Sequence, residues 1–264
     1  MTEVLHALFV AWQHPVSRRF SPVGRLAQIA GSNGQDCFEF VYVHAAEEAQ
    51  EEGFLPFLSF PELDKVYRSR ELFPMFANRL LPRSRPDFPE YIEQLGLPPA
   101  TVSPITILSR STGRRTTDTL ELFPLPKFEA GYGYRTWFWA HSLRYVPDAS
   151  QKRIATLAPD ERLFPMCDVQ NSVVPSAIAL RTTDLQIVGY MPSYLLEDAH
   201  TLQQTCEFCE VYVDRVNPPP VPLQQRLLCR IESCWPDGFV PYSTERYQPL
   251  VPDAAEILAP QFTE

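Results

Sequence analysis

Short apolar runs separated by turn signals dominate the chain, and their spacing predicts more strands than helices. Val4 to Trp12 is almost continuously apolar, which predicts a buried strand. The stretch FEFVYVH, from Phe38 to His44, alternates aromatic or β-branched residues and predicts a second strand. Pro15 and Pro22 lie between them and predict a loop, because proline donates no backbone hydrogen bond to a sheet.

Helical periodicity is confined to short segments. Residues 45–53 form an acidic stretch that ends at a glycine, and residues 87–97 give the clearest helical pattern, closed by Gly96 and the prolines after it. A third helix can begin only near Pro74. Residues 193–205 place leucines and an alanine on one face and predict a fourth helix.

The remaining apolar runs predict strands. Residues 103–110 (SPITILSR) and 117–124 (TDTLELFP) are interpreted as two strands, joined by a hairpin-like loop that carries Arg114 and Arg115. The sequences SAIALRT and LQIVGYM predict a β-hairpin, and CEFCEVYVDRV predicts a further strand. We therefore expect a β-rich α+β protein with two small domains.

Composition bounds the architecture and the location. A chain of 264 residues that is 45% hydrophobic can bury one large core or two ordinary ones. The 27 prolines, set against 10 glycines, argue against long helices. The apolar stretch near the amino terminus lacks the features of a signal peptide, and no segment has the length of a membrane span. We expect a cytoplasmic protein with no membrane contact.

Familiar catalytic motifs are missing from the sequence. There is no G-x-S-x-G, no phosphate-binding GxxxxGK and no GxGxxG. The five histidines are scattered, without the i, i+4 spacing of a metal-binding helix. We expect no enzymatic activity, although a nuclease or other hydrolase without a recognisable motif remains an alternative. The net charge of −9 disfavours broad electrostatic adhesion to nucleic acid or to acidic membranes.

Four of the six cysteines raise the question of zinc. Cys206-x-x-Cys209, together with Cys229 and Cys234, offers four thiolates, the number that a structural zinc site uses. However, Cys206 and Cys209 fall on one predicted strand, where residues three apart point to opposite faces. We therefore expect reduced structural cysteines and no cofactor, with zinc as the alternative.

The second half of the chain resembles the HIRAN domain. The resemblance rests on LRYV (143–146), ERLFPMCDVQNSVVPSAIAL (161–180) and QIVGYMPSYLLEDAHTL (186–202), in that order, and covers about residues 135–245. It implies a modified OB-like β-barrel with short helices. It also implies binding of DNA, since the best understood members capture the 3′ end of a single strand.

The resemblance assigns roles to particular residues. Arg144 and Tyr145 match the Arg-Tyr pair at the end of the family's first strand, which contacts the terminal nucleotides. Asn171 matches the first Asn of the signature, and Tyr190 follows the glycine of the G-Y/H step and offers a second stacking face. Aromatic rings stack on any base, and a guanidinium binds phosphate. We therefore predict that Arg144, Tyr145, Asn171 and Tyr190 bind nucleic acid.

Two positions depart from the signature. Val174 stands where the family has an Asp that meets the terminal hydroxyl, and Ser176 stands where it has a second Asn. Because the valine side chain cannot accept a hydrogen bond, the resemblance implies the fold more strongly than it implies selectivity for a 3′ end.

The first half resembles the small N-terminal domain of HipA-type toxin kinases. The resemblance rests on PVGRLAQ (22–28), FEFVYV (38–43), FLSFPELDKVY (57–67) and ELFPMFANRLLP (71–82). In that family the kinase residues lie in a larger C-terminal domain. The resemblance therefore implies an interaction module without phosphoryl transfer.

Together these observations predict three segments: a HipA-N-like domain over residues 1–128, a HIRAN-like domain over 129–246, and a tail over 247–264. The predicted function is recognition of single-stranded DNA or DNA ends, in DNA repair or defence in a bacterium. The alternative is a non-enzymatic protein-interaction or regulatory module, related to HipA-type toxin–antitoxin components, that binds a protein partner.

Overall fold

A computed structural model of the chain describes residues 4–30, 35–98 and 102–256. They divide into two compact units. The first contains the described residues up to Phe88, those between Ala100 and Leu125, and those from Val240 onward. The second contains Pro89–Pro99 and Pro126–Phe239. The units differ from the predicted domains in two places: residues 89–98, predicted in the first domain, belong to the second unit, and residues 240–256, predicted in the second domain and the tail, belong to the first unit.

Strands outnumber helices in the described residues. The strands are β1 (Val4–Gln13), β2 (Phe20–Ile29), β3 (Cys37–Tyr42), β4 (Tyr67–Ser69), β5 (Leu120–Pro124), β6 (Lys127–Glu129), β7 (Gly133–Trp139), β8 (Arg162–Asp168), β9 (Ala177–Arg181), β10 (Ile187–Tyr190), β11 (Cys209–Val216) and β12 (Leu227–Ser233). The α-helices are α1 (Ala45–Glu51), α2 (Pro74–Ala77), α3 (Phe88–Gln94), α4 (Pro104–Ser111), α5 (Asp148–Ile154) and α6 (Leu196–Thr205).

The strands form two antiparallel sheets, which confirms the prediction of a β-rich α+β fold. The first sheet has the order β4-β3-β2-β1-β5, and the second has the order β10-β9-β8-β11-β12-β7-β6. The predicted hairpin of β9 and β10 is present, with Tyr190 paired to Ala179. Across the described segments, no helix has the length and apolar composition needed to cross a membrane.

One face of the first sheet is covered by an aromatic core. Phe40 stacks on Phe60 with ring centres 4.2 Å apart, and Phe76 of α2 packs against both rings. The Tyr42 hydroxyl donates to Phe60 O at 2.7 Å and accepts from Phe57 N at 2.7 Å. The segments 38–43, 57–67 and 71–82 thus meet in this core, where they stabilise the fold.

The prediction of a loop around Pro22 was wrong, because β2 runs through it in the middle of the sheet. Pro22 pairs with Ala11 where the register between β1 and β2 shifts, and such an irregularity tolerates a residue without a backbone donor. Two residues after Pro22, the strand has a glycine, and a Cβ at Gly24 would lie 2.6 Å from the Phe40 ring. The absence of a side chain at Gly24 therefore lets the Phe40 ring pack directly against β2.

The prediction of a strand over residues 103–110 was also wrong, because α4 occupies them. Ser103 caps the helix by accepting a hydrogen bond from Thr106 N at 3.2 Å, and Pro104 occupies its first turn. The alternating isoleucines suggested a strand, but Ile105 and Leu108, three residues apart, face the core. Arg114 therefore follows a helix, and its guanidinium binds the buried Glu121 carboxylate at 2.6 Å.

The opposite face of the first sheet is covered by the C-terminal segment. Phe9 packs edge-on against Tyr242 and Tyr247. Beside them Arg25 and Glu39, both buried, form an ion pair at 3.6 Å. Arg25 donates to Ala255 O at 2.5 Å, and Ala255 N donates to the Glu39 carboxylate at 2.8 Å. A buried charge pair therefore holds the chain near residue 255 against the sheet.

Candidate nucleic-acid site

The four predicted site residues lie around the end of β10. After β7 the chain continues through Ala140, whose N–H donates to Leu227 O at 2.9 Å. His141 then exchanges two backbone hydrogen bonds with Tyr190, at 2.8 and 3.0 Å. This bridge joins the segment that follows β7 to β10, at the far end of the same sheet. It brings the sequence around Arg144 to the strand that carries Tyr190.

Gly189 allows this close approach. Its φ of +146° is rarely adopted by residues with a side chain, and a Cβ at this position would lie 3.1 Å from His141 O and from Leu143 Cδ1. The backbone following β7 therefore crosses directly over the glycine. The G-Y step thus has a structural reason: the glycine admits the crossing chain, and the next residue carries the aromatic ring.

Asp168, at the end of β8, connects two of the predicted residues. The Tyr190 hydroxyl donates to its carboxylate at 3.1 Å, and Asn171 Nδ2 lies 3.4 Å from the same oxygen. Burial, and secondly the hydrogen bond to Asp168, raise the pKa of Tyr190 above its ordinary value. Asp168 was not among the predicted site residues, although an Asp directly after an apolar run is typical of a turn, and its carboxylate accepts from Gln170 N at 3.2 Å.

The loop after β8 is shaped by Asn171. Its side-chain oxygen accepts from Val173 N at 3.1 Å and from Val174 N at 2.9 Å, so Asn171 acts here as a turn residue. Ser176 ends the loop with φ of +59°, a conformation that asparagine adopts more readily than most residues.

Arg144 and Tyr145 lie in a 3₁₀ turn, Leu143–Tyr145, and not at the end of a strand. Ser142, with φ of +64°, turns the chain out of its extended path two residues earlier. The Tyr145 ring is 74% exposed, and the Arg144 guanidinium lies 5.8 Å from its centre. Within the described residues Arg144 makes no ion pair. An exposed ring beside an unneutralised guanidinium can stack on a base and bind a phosphate.

The outer face of the second sheet continues from this site with arginine and aromatic side chains. Arg162, Tyr212, Arg230 and Trp137 form one row across β8, β11, β12 and β7. Toward β7 the charges are balanced: Arg230 binds Asp160 at 2.7 Å and Glu232 at 2.8 Å. At the β8–β9 end, Phe164 lies between Arg162 and Arg181.

The cysteines do not form the cluster that a zinc site needs. Cys206 and Cys234 are joined by a disulfide, with Cα atoms 5.7 Å apart, so the expectation that both are reduced was wrong for this pair. Cys209 lies opposite Ser233 on β12, and burial raises the pKa of its thiol to about 11. Among the residues that the structure describes, no group of three or more His, Cys, Asp or Glu side chains is arranged to hold a metal ion.

Comparison with known proteins adds no relative. No family model matches the chain, and neither the curated proteins nor the solved structures contain a significant match.

Proposed function

We propose that the second unit is a HIRAN-like, partly closed OB-like barrel that binds single-stranded DNA at the end of β10, in a bacterial cytoplasm. The first unit would serve as a HipA-N-like interaction module. The observation that carries the proposal is the backbone bridge between His141 and Tyr190, because it links the two outer regions of the sheet. The bridge also places the turn with Arg144 and Tyr145 beside the Tyr190 strand.

The exposed groups suit a strand that is recognised by its chemistry and not by its base sequence. The Tyr145 ring offers a stacking surface to any base, and Arg144 has donors free for a phosphate. Because the chain carries a net charge of −9, attraction to nucleic acid must come from this local site. We expect modest affinity that decreases as salt increases.

The carboxylate of Asp168 bears on whether strand ends are preferred. It accepts from Tyr190, from Asn171 and from the Gln170 N–H, and a half-buried carboxylate, which has about four acceptor positions, has room for one further donor. A terminal hydroxyl can donate to it, whereas a terminal phosphate is repelled. We therefore propose a preference for a free 3′ hydroxyl over a 3′ phosphate, even though Val174 cannot contribute an acceptor.

Binding of short labelled single strands tests the proposal. Fluorescence anisotropy at low and moderate salt would compare the wild type with the double variant Arg144→Ala, Tyr145→Ala, using strands with free and phosphorylated 3′ ends. We expect the wild type to bind and the double variant to lose most of its affinity. Arg115→Ala is the control, because Arg115 is an exposed arginine of the first unit. Binding that survives the double substitution would place the site elsewhere.

A second function, as a protein-interaction module, is favoured by an apolar loop in the first unit. Leu55 is 79% exposed and Leu58 is fully exposed, while Phe57 between them packs against the aromatic core. Exposed leucines held on a rigid base are typical of a protein contact. If the wild type binds no strand even at low salt, the protein-interaction function replaces DNA binding as the proposed function. Capture of a partner by the wild type, but not by Leu55→Ser with Leu58→Ser, would then test it.

A further inference from the structure

A second part of the outer face has the chemistry to bind a nucleic-acid backbone. The guanidinium carbons of Arg162 and Arg181 each lie 5.3 Å from the centre of the Phe164 ring. Arg162 also binds Glu210 at 2.9 Å, whereas Arg181 makes no ion pair within the described ranges. Arg181 is therefore a positive charge that is held on an aromatic ring and is not neutralised by the protein.

Neighbouring carboxylates do not reach Arg181, because another arginine binds them. Asp184, three residues further along the chain, accepts from Arg153 Nε at 3.0 Å. Glu161, which precedes β8, also binds Arg153. Both carboxylates are thus bound to Arg153 of α5, and neither forms an ion pair with Arg181.

Strand register places Arg181 next to the proposed site. Tyr190 pairs with Ala179, and Ala179 pairs with Met166, so these residues form one row on the outer face. Arg181 pairs with Phe164 in the next row on the same face. From strand spacing and rise, Phe164 lies roughly 12 Å from Tyr190. An OB fold covers roughly 4–16 nucleotides of a single strand, and a strand of that length is long enough to reach from Tyr190 to Phe164.

The opposite direction along the same face is unfavourable for phosphate. Arg230 contacts Asp160, Asp214 and Glu232, and Arg135 contacts Glu129 and Glu232. These carboxylates neutralise both arginines and would repel a phosphate. A strand that leaves the Tyr190 site is therefore attracted toward β9 and β8.

We propose that single-stranded DNA bound at Tyr190 continues over β9 and β8, where Arg181 binds a backbone phosphate. This inference rests on the proposed function. The planar guanidinium can donate two parallel hydrogen bonds to a phosphate. Phe164 acts as a positioning residue, since its ring holds the guanidinium over the path of the strand.

Strand length separates this site from the first one. Thymidine strands of about two nucleotides, too short to reach Arg181 from Tyr190, and of about ten nucleotides would be titrated by fluorescence anisotropy at several salt concentrations. Arg181→Ala should weaken binding of the long strand, leave the short strand unchanged, and reduce the slope of log K against log salt by about 0.7. Arg181→Lys should retain much of the affinity, because it keeps the charge. Arg115→Ala, the matched control with the same loss of charge, should behave as the wild type.

The role of Phe164 has its own test. Phe164→Leu should weaken the long strand in the wild-type background and add little to Arg181→Ala, because both changes remove one contact. Circular dichroism of each variant would verify that it is folded.

The two proposals fail in different ways. If Arg144→Ala with Tyr145→Ala weakens binding of both strands while Arg181→Ala changes neither, the proposed contact at Arg181 is wrong and the proposed function stands. The contact at Arg181 is also wrong if Arg181→Ala weakens binding of both strands equally. If the wild type binds neither length even at low salt, the proposed function is wrong, and the contact at Arg181 is wrong with it.

Discussion

Two polar clusters, one in each unit, use similar side chains for opposite purposes. In the first unit, Arg25 and Glu39 are buried and bind both the backbone of Ala255 and each other. In the second unit, Arg144 is exposed and unpaired within the described residues, and Asp168 is half-buried with acceptor capacity to spare. The arrangement of partners, more than the residue type, therefore separates a structural cluster from a candidate binding site.

The largest expected effect comes from the buried pair. Burial lowers the pKa of Arg25 while Glu39 opposes that change, and the guanidinium remains charged. Glu39→Gln leaves this charge without its counter-ion, so we expect the free energy of unfolding to decrease by about 3–5 kcal/mol. Urea denaturation of the wild type and the variant measures this difference in the free energy of unfolding. Asp87→Asn, which breaks the exposed pair with Arg85, is the control and should change little. Equal effects of the two variants would mean that the Glu39 cluster is not structural.

The disulfide gives the next largest effect. Cys206 and Cys234 are separated by 28 residues, and a closed loop of that length stabilises a fold by about 3.5 kcal/mol. Cys206→Ser with Cys234→Ser should therefore lower the urea midpoint. Peptide mapping of the protein after alkylation without reductant should show this pair linked and Cys37, Cys167, Cys209 and Cys229 alkylated. Alkylation of all six cysteines would show that the pair is reduced, as a cytoplasmic setting favours.

Gly189 tests how the site is assembled. Gly189→Ala must adopt an unfavourable φ and also meets His141 and Leu143, so we expect a loss of stability of roughly 1–3 kcal/mol together with weaker DNA binding. Gly131→Ala is the matched control, because Gly131 also has positive φ but no atom lies within 4 Å of its added Cβ. Similar losses in stability and binding for both would contradict the role of the crossing at Gly189.

The hydroxyl of Tyr190 gives the smallest effect. Tyr190→Phe removes one half-exposed hydrogen bond to Asp168 and should cost about 1 kcal/mol near neutral pH. Because the folded-state pKa of Tyr190 is raised above 10, this contribution is complete below pH 10 and disappears as the pH increases through the folded-state value. The stability difference between wild type and variant, measured against pH, should therefore decrease only at alkaline pH. A difference that decreases below pH 9 would assign the effect to another group.

Local pattern predicted much of the fold, and it failed where tertiary contacts decided the structure. Apolar and β-branched runs identified β3 and β9, whose buried residues are consecutive and so lie on both faces, and alternation identified β11, which buries only Val211 and Val213. It missed β2, because Pro22 is tolerated only at an irregularity of pairing that the sequence does not reveal. It missed α4, where a Ser-Pro cap outweighs the alternating isoleucines.

The candidate site shows the same limit. The sequence singled out Arg144, Tyr145, Asn171 and Tyr190 as a prediction, but it could not show that Asp168 joins Tyr190 to Asn171, since the contact between Asp168 and Tyr190 spans 22 residues. Nor could it show that the segment after β7 meets β10, or that Cys206 lies beside Cys234. Such contacts join residues that are far apart in the sequence, so local pattern carries no signal for them.

Hydrogen–deuterium exchange of the whole protein, with and without a saturating single strand, locates the bound strand on the two units. We predict protection of residues 141–145, 168–174 and 187–190 in the second unit, and no change at residues 55–58 in the first. Protection confined to the first unit, or no protection under conditions where the strand is bound, would contradict the account.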